Sequence, residues 1–137
     1  MSKLKFEKLK IKTLPGRNAL MNVAELKDYI DFDVKRVYYT TNINGDTSQH
    51  CHLKEQELFI MVAGECTAVI DRGQGLEDIT FETADTLYVG NYVWHGFKDF
   101  KAGSIMLALS STNYNPTRQD YIEDYSKYKL VLKKFGI

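Results

Sequence analysis

The chain has 137 residues, 44% of them hydrophobic and 26% charged, which suits one domain with a single core. Eighteen Lys and Arg balance eighteen Asp and Glu, so there is no strong field to gather nucleic acid or an anionic membrane. No stretch approaches the ~20 apolar residues of a membrane span. The N-terminus MSKLKFEKLKIK lacks a signal peptide's apolar centre, and two cysteines, Cys51 and Cys66, make no disulfide framework, so the expectation is a soluble cytoplasmic protein.

In chain order, residues 3–11 (KLKFEKLKI) alternate polar and apolar with a period of two and predict a strand. Residues 23–30 (VAELKDYI) read as a helical turn or a loop. Residues 34–43 (VKRVYYTTNI) are rich in β-branched and aromatic types and predict a second strand, ended by the turn signal NGD at 44–46. ELFIMVA and ECTAVID flank Gly64 and read as a tight hairpin; DRGQG at 71–75 is a further turn. DITFET, TLYVG, YVWHGF and SIMLALS follow at short spacing, which points to a sandwich or barrel. Residues 119–135 place Tyr121, Ile122, Tyr125, Tyr128 and Val131 or Leu132 at helical spacing, with lysines late, where the helix dipole favours cations. The sequence therefore predicts one all-β domain over residues 1–137, closed by a short C-terminal helix from about residue 119.

The segment SQHCHLKEQELFIMVAG holds two of the three histidines, His50 and His52. On a strand, i and i+2 face the same way, so both imidazoles share a face, and inside a barrel that face can be the interior. A bend at residues 54–56 would bring the Glu57 carboxylate to the same spot. The third histidine, His95, lies in NYVWHGF.

Gly45, His50, His52, Glu57 and Gly64 resemble the first motif of the cupin superfamily, with one residue fewer between Gly45 and His50 than is usual. His95 takes the place of the second motif's histidine, although the proline and glycines that usually precede it are mostly missing. The resemblance implies a cupin-type β-barrel, a jelly roll. Three imidazoles and a carboxylate also make a plausible Mn, Fe, Ni or Zn site with His50, His52, Glu57 and His95 as ligands, so a metal-dependent cupin enzyme is one reading.

A second resemblance covers nearly the whole chain. RVYY at 36–39, the His50–His52 pair, VWHGF at 93–97 and the tail SSTNYNPTRQDYIEDYSKY are similar to the nucleotide-sugar 3,4-ketoisomerases, bacterial enzymes that make precursors of 3-amino-3,6-dideoxyhexoses. Asp120, Tyr121, Ile122, Asp124 and Tyr125 match that family's closing motif, its most specific part, and Arg17 and Leu20 match an early arginine–glycine–x–leucine segment. Two positions depart from the pattern. Thr47 and Ser48 stand where an arginine and a glycine are usual, and Glu57 stands where glutamine is usual. The family works without metal, which implies no cofactor. Glu57 restores the carboxylate of metal-binding cupins, or else orients an imidazole.

Members convert a dTDP-4-keto-6-deoxyhexose into its 3-keto isomer through an enediolate. The resemblance implies His50 as the base and His52 as its partner in proton relay or enediolate stabilisation, with their order left open. Tyr38 shares strand parity with Arg36 and is a donor candidate, whereas Tyr39 faces the other way. Arg17 and Arg36 are candidates for the pyrophosphate, and Trp94, His95 and Glu57 complete the expected substrate-binding set. Tyr121, Tyr125 and Tyr128 are expected to seal the helix against the barrel rather than touch substrate. The expected partner is a dTDP-linked keto sugar, with no nucleic acid and no membrane. A homodimer is expected through the open edge of the strand at residues 4–11. A non-catalytic nucleotide-sugar-binding cupin is the third reading.

Overall fold

The structure, a computed structural model, describes residues 4–137; the predicted first strand's Lys3 lies outside that range. Strands β1 (Phe6–Lys10), β9 (Asp85–Val89), β6 (Glu57–Ala63), β11 (Ile105–Ser110) and β4 (Arg36–Thr40) form an antiparallel sheet in that order. Facing it, β10 (Trp94–Lys98), β7 (Glu65–Asp71) and β8 (Leu76–Glu82) form a three-stranded sheet. Two main-chain hydrogen bonds between His50 and His95, 2.8 and 3.0 Å, join this sheet to the short pair β5 (Cys51–His52) and β12 (Tyr121–Ile122). The inner faces enclose Phe59, Met61, Phe81, Leu87, Phe97 and Met106. This is the all-β architecture that the strand pattern predicts, in the jelly-roll form that the cupin resemblance implies.

β6 and β9 read as continuous apolar runs because both of their faces are covered. Leu87 and Val89 enter the barrel core, while Tyr88 and Leu58 pack outward under the segment that carries Tyr29, Ile30 and Phe32. Within that segment the structure forms one short 3₁₀ turn, Leu26–Asp28. β4 has the opposite character. Tyr38 points in and is half-buried, whereas Val37 and Tyr39 are exposed.

Three expectations change. ELFIMVA and ECTAVID do not pair with each other, because β6 belongs to the first sheet and β7 to the second, so Gly64 is where the chain crosses between sheets. Its φ of +99° disfavours any side chain, and an added Cβ would lie 2.7 Å from Ser104 Cα. The second change is at the helix start. α1 runs Tyr125–Lys134, not from about 119. Asp124 caps it, accepting from Lys127 N at 3.0 Å, and residues 121–122 form β12 instead, because β5 offers main-chain groups that need a partner. Third, residues 12–23 make a hairpin that the strand reading did not include, although Pro15, Gly16 and Asn18 carry turn chemistry: among the described residues β2 (Lys12–Gly16) and β3 (Ala19–Val23) pair only with each other, turning at Arg17 and Asn18.

Helix α1 buries Tyr128 and Leu132 against Trp94, Cys51 and Ile122 on the outer face of the second sheet. Tyr125 Oη donates to Asp71 Oδ2 at 2.6 Å and Tyr128 Oη donates to Tyr92 O at 2.5 Å, which locks the helix across the ends of β7 and β10.

Candidate active site

A cavity of about 410 Å³ opens between the sheets, with His50, His52, His95, Glu57, Tyr38 and Tyr121 in its wall. That size suits a ring-sized substrate group. His50 and His52 point inward together, as strand parity requires, and their Nε2 atoms lie 3.0 Å apart. His95 reaches the same place from β10, its ring 4.6 Å from that of His50. Its Nδ1–H donates to Val93 O at 3.0 Å, so its Nε2 faces Glu57 Oε1 at 3.5 Å. Gly96 follows because Gln49 crosses so closely that a Cβ there would lie 2.4 Å from Gln49 Cγ.

The bend at residues 53–56 brings Glu57 under the histidines, as expected. Its buried carboxylate accepts from Tyr38 Oη at 2.5 Å and lies 3.3 Å from His52 Nε2. Two further carboxylates approach the other side of that ring: Glu55 Oε1 is 3.6 Å and Asp120 Oδ2 3.7 Å from His52 Nδ1. Asp120 also accepts from Lys54 N and Glu55 N, at 2.8 and 3.1 Å, and so fixes the bend.

These surroundings divide the two histidines. Burial pushes His50 down to about 3, assisted by the charges of His95 and His52, so its imidazole stays neutral. Burial acts against charge on His52 as well, but the hydrogen bond to Glu57 and the charges of Glu57, Glu55 and Asp120 outweigh it, and its pKa ends above the ordinary value of 6.5. Burial would likewise raise Glu57, yet its contacts with His52 and His95 win and hold it well below the usual carboxylate range. Tyr38 is raised by burial and by Glu57, so it keeps its proton. The site thus sets an imidazole held toward neutrality beside one whose protonated form is favoured, two residues apart.

Arg36 lines the cavity but is already engaged. Its Nη2 donates to the buried Glu55 carboxylate at 2.9 Å, which also accepts from Ser110 Oγ at 2.8 Å. Two candidates do not reach the cavity. Trp94 is buried on the outer face, donating to Gln49 Oε1 at 3.1 Å and packing on Tyr125 and Tyr128. Strand alternation explains this: His95 points in, so Trp94 points out. Arg17 is exposed at the tip of the β2–β3 hairpin, away from the cavity of its own chain. Three residues were missed. Glu55 shares parity with Glu57, and the spacing H-x-H…E-x-E carried that signal. Asp120 and Tyr121 come to the site only because β12 pairs with β5, which no local pattern reveals. Tyr121 was expected against the helix; instead it faces His50, 4.8 Å between centroids and 13° from parallel.

A family model described as FdtA, WxcM-like, C-terminal matches residues 3–133. The chain belongs to this family. It is 33% identical over 129 residues to the TDP-4-oxo-6-deoxy-α-D-glucose-3,4-oxoisomerase of Aneurinibacillus thermoaerophilus, covering 92% of this chain and 91% of that one. Among solved structures, the sugar 3,4-ketoisomerase QdtA of Thermoanaerobacterium thermosaccharolyticum in complex with TDP superposes with a TM-score of 0.83 at 29% identity, covering 96% of this chain and 97% of that chain. A mutant of the same enzyme in complex with TDP-4-keto-6-deoxyglucose gives a TM-score of 0.82 at 29% identity, covering 94% of each chain. The FdtA-family chain is thus a cupin-fold isomerase of the sugar 3,4-ketoisomerase kind, as its motifs imply.

Proposed function

We propose that the protein converts TDP-4-keto-6-deoxyglucose into a TDP-3-keto-6-deoxyhexose, for the synthesis of 3-amino-3,6-dideoxy sugars. The observation that carries this reading is the buried His50–His52 contact, 3.0 Å between Nε2 atoms, at the wall of a cavity of sugar size. His50 is neutral and takes the C3 proton. A base held near 3 is weak, so the C3–H must be made more acidic. The neighbouring charge does this: His52, held as imidazolium by three carboxylates, donates to the C4 oxygen as an enediolate forms. The negative charge then gathering beside His50 favours its imidazolium, which returns a proton to C4, while the C3 hydroxyl proton passes by way of His52 to the C4 oxygen; C3 becomes the ketone, C4 carries the hydroxyl, and both imidazoles end as they began. Glu57 keeps His52 charged and aims Tyr38. Arg36, through the donors that Glu55 leaves free, is the candidate for the diphosphate.

The test is turnover of TDP-4-keto-6-deoxyglucose in deuterium oxide, followed by NMR and coupled to a 3-aminotransferase. Deuterium enters the sugar and a 3-keto product forms, and His50→Asn abolishes both. A wild-type protein that exchanges nothing overturns the reading and leaves a binding cupin.

One observation favours a second reading. His50, His52 and His95 offer ligand nitrogens within 4.8 Å of one another, with His50 and His52 3.0 Å apart, and Glu57 Oε1 lies 3.3 Å from His52 and 3.5 Å from His95. Ligands ~2.1 Å from one ion are separated by about these distances, so the set fits a transition metal, which would polarise the carbonyl as a Lewis acid. Metal analysis decides: a stoichiometric ion whose removal by chelation stops turnover replaces the metal-free mechanism.

The proposal includes a homodimer. β1 leaves one edge unpaired among the described residues, and the β2–β3 hairpin exposes Leu20 (70%) and Met21 (56%). Buried free thiols at Cys51 and Cys66 support a reducing, cytoplasmic location.

A further inference from the structure

His50 lacks the usual device for aiming a working imidazole. Such a ring normally donates its second nitrogen to a carboxylate or a carbonyl, as His95 does to Val93. His50 Nδ1 is buried and makes no well-formed hydrogen bond, with only the Ser48 main chain acting weakly on the ring. Its main chain is fixed by the bridge to His95, but that leaves χ1 and χ2 free. What surrounds the ring is aromatic. His52 meets it edge-on, 4.7 Å and 85°, and His95 lies tilted at 4.6 Å. Only Tyr121 lies flat against it.

Tyr121 is itself held firmly. It sits in register with His52 across β12 and β5, and Leu53 N donates to Asp120 O at 2.9 Å. The Arg118 guanidinium covers its ring at 4.4 Å, and Arg118 is paired with Glu123. Its ring also touches His52 edge-on at 4.4 Å. Among the described residues no group accepts its hydroxyl, so the ring is what the fold uses.

We propose that Tyr121 is a positioning residue for the isomerisation, its ring plane setting the rotamer of His50 so that Nε2 stays aimed at the cavity. The stack supplies the restraint that the weak contact with the Ser48 main chain does not. It restricts the ring without giving its nitrogen an acceptor, and so leaves the imidazole free to change protonation during turnover. Offset stacking of aromatic planes supplies the preference. The inference rests on the isomerase reading, with His50 as the base.

The test compares Tyr121→Phe, Tyr121→Leu and Tyr121→Ala. The Phe variant keeps kcat, because the plane is retained. The Leu and Ala variants lose about 10- to 100-fold in kcat with KM for TDP-4-keto-6-deoxyglucose and affinity for TDP nearly unchanged, the loss expected for a misaimed base. In the same variants the His50 ring protons move downfield in NMR spectra of the free protein, as the shielding face of Tyr121 is removed. Leu keeps apolar bulk at the position, so it carries the comparison should the Ala variant not fold. A Phe variant as slow as Ala overturns the proposal, since the hydroxyl would then act on substrate. Unchanged kcat in Leu and Ala, or unmoved His50 resonances, overturns it too. The resonance comparison needs no turnover, so an inactive wild type sinks the isomerase reading while the placement of His50 is still decided.

Discussion

At the scale of single residues, the proposed chemistry depends on two identical side chains, two positions apart, being pushed toward opposite protonation states. His50 is depressed to about 3 and His52 is raised, so the competent form exists between those two values. Turnover therefore falls as pH rises through the raised value of His52 and the imidazolium is lost. Glu57→Gln removes the charge that holds it. The alkaline limb of kcat/KM then moves to lower pH, while kcat at lower pH is kept, since glutamine is the residue usual at this position in the resembling family; a limb that stays put assigns it to another group. Stability carries the same signature. His50 unfolds from neutral to an ordinary 6.5, so folding stability from this group is present above 6.5 and is lost as pH falls toward 3. His52 behaves oppositely: its contribution is complete below 6.5 and is lost as pH rises through its raised value. Between pH 6 and 4.5, His50 thus dominates the pair. Denaturant melts across that window should show His50→Asn losing about 1–2 kcal/mol less than the wild type. Parallel curves would mean that His50 is solvated. Alternation put His50 and His52 on one face and one bend added Glu57, while His95 and Tyr38 were joined to them through the family resemblance. The same rule, applied to Trp94 beside His95, places it outside. Asp120 and Tyr121 were hidden because a two-residue strand has no periodicity to detect.

At the scale of elements, the structure departs from the sequence reading where one chain segment serves two sheets. Gly64 looked like a hairpin turn because glycine between two apolar strands has that local chemistry. Which sheet each strand joins is decided by partners tens of residues away, and β6 takes β9 and β11 while β7 takes β8 and β10. The tail shows the same limit: Tyr121 and Ile122 fit a helical period, but the open main chain of β5 claims them, and the helix waits for its cap at Asp124. The crossing is demanding. A side chain at residue 64 meets the Ser104 backbone and a φ of +99° together. Gly64→Ala should lower stability by about 1–3 kcal/mol, the cost of strained backbone, read as a shift in urea midpoint at unchanged slope. Since the crossing lies at the far end of β6 from Glu57, kcat below the melting range should hold.

At the scale of the whole molecule, the β2–β3 hairpin is the part that one chain does not explain. Two strands alone are marginal in water and need a surface to lie on. Leu20 and Met21 are neighbours on β3, so they project to opposite faces, and both are bare. Among the described residues neither face of the hairpin is fully covered, only Leu14 and Val23 being partly buried. The hairpin departs directly from β1, whose outer edge is also open, so apolar side chains and unpaired main-chain groups lie together. The proposed second copy would supply both missing parts at once, and closed two-fold pairing would prevent open-ended assembly. Charges on both faces should undo it. The pair Leu20→Lys and Met21→Lys is expected to sediment as a monomer where the wild type sediments as a dimer, and to become open to proteolysis between residues 12 and 23. The barrel core and the His50–His52 contact belong to other strands, so the isolated chain should still fold. A wild type that sediments as a monomer at every concentration would remove the dimer from the proposal without touching the chemistry of the cavity.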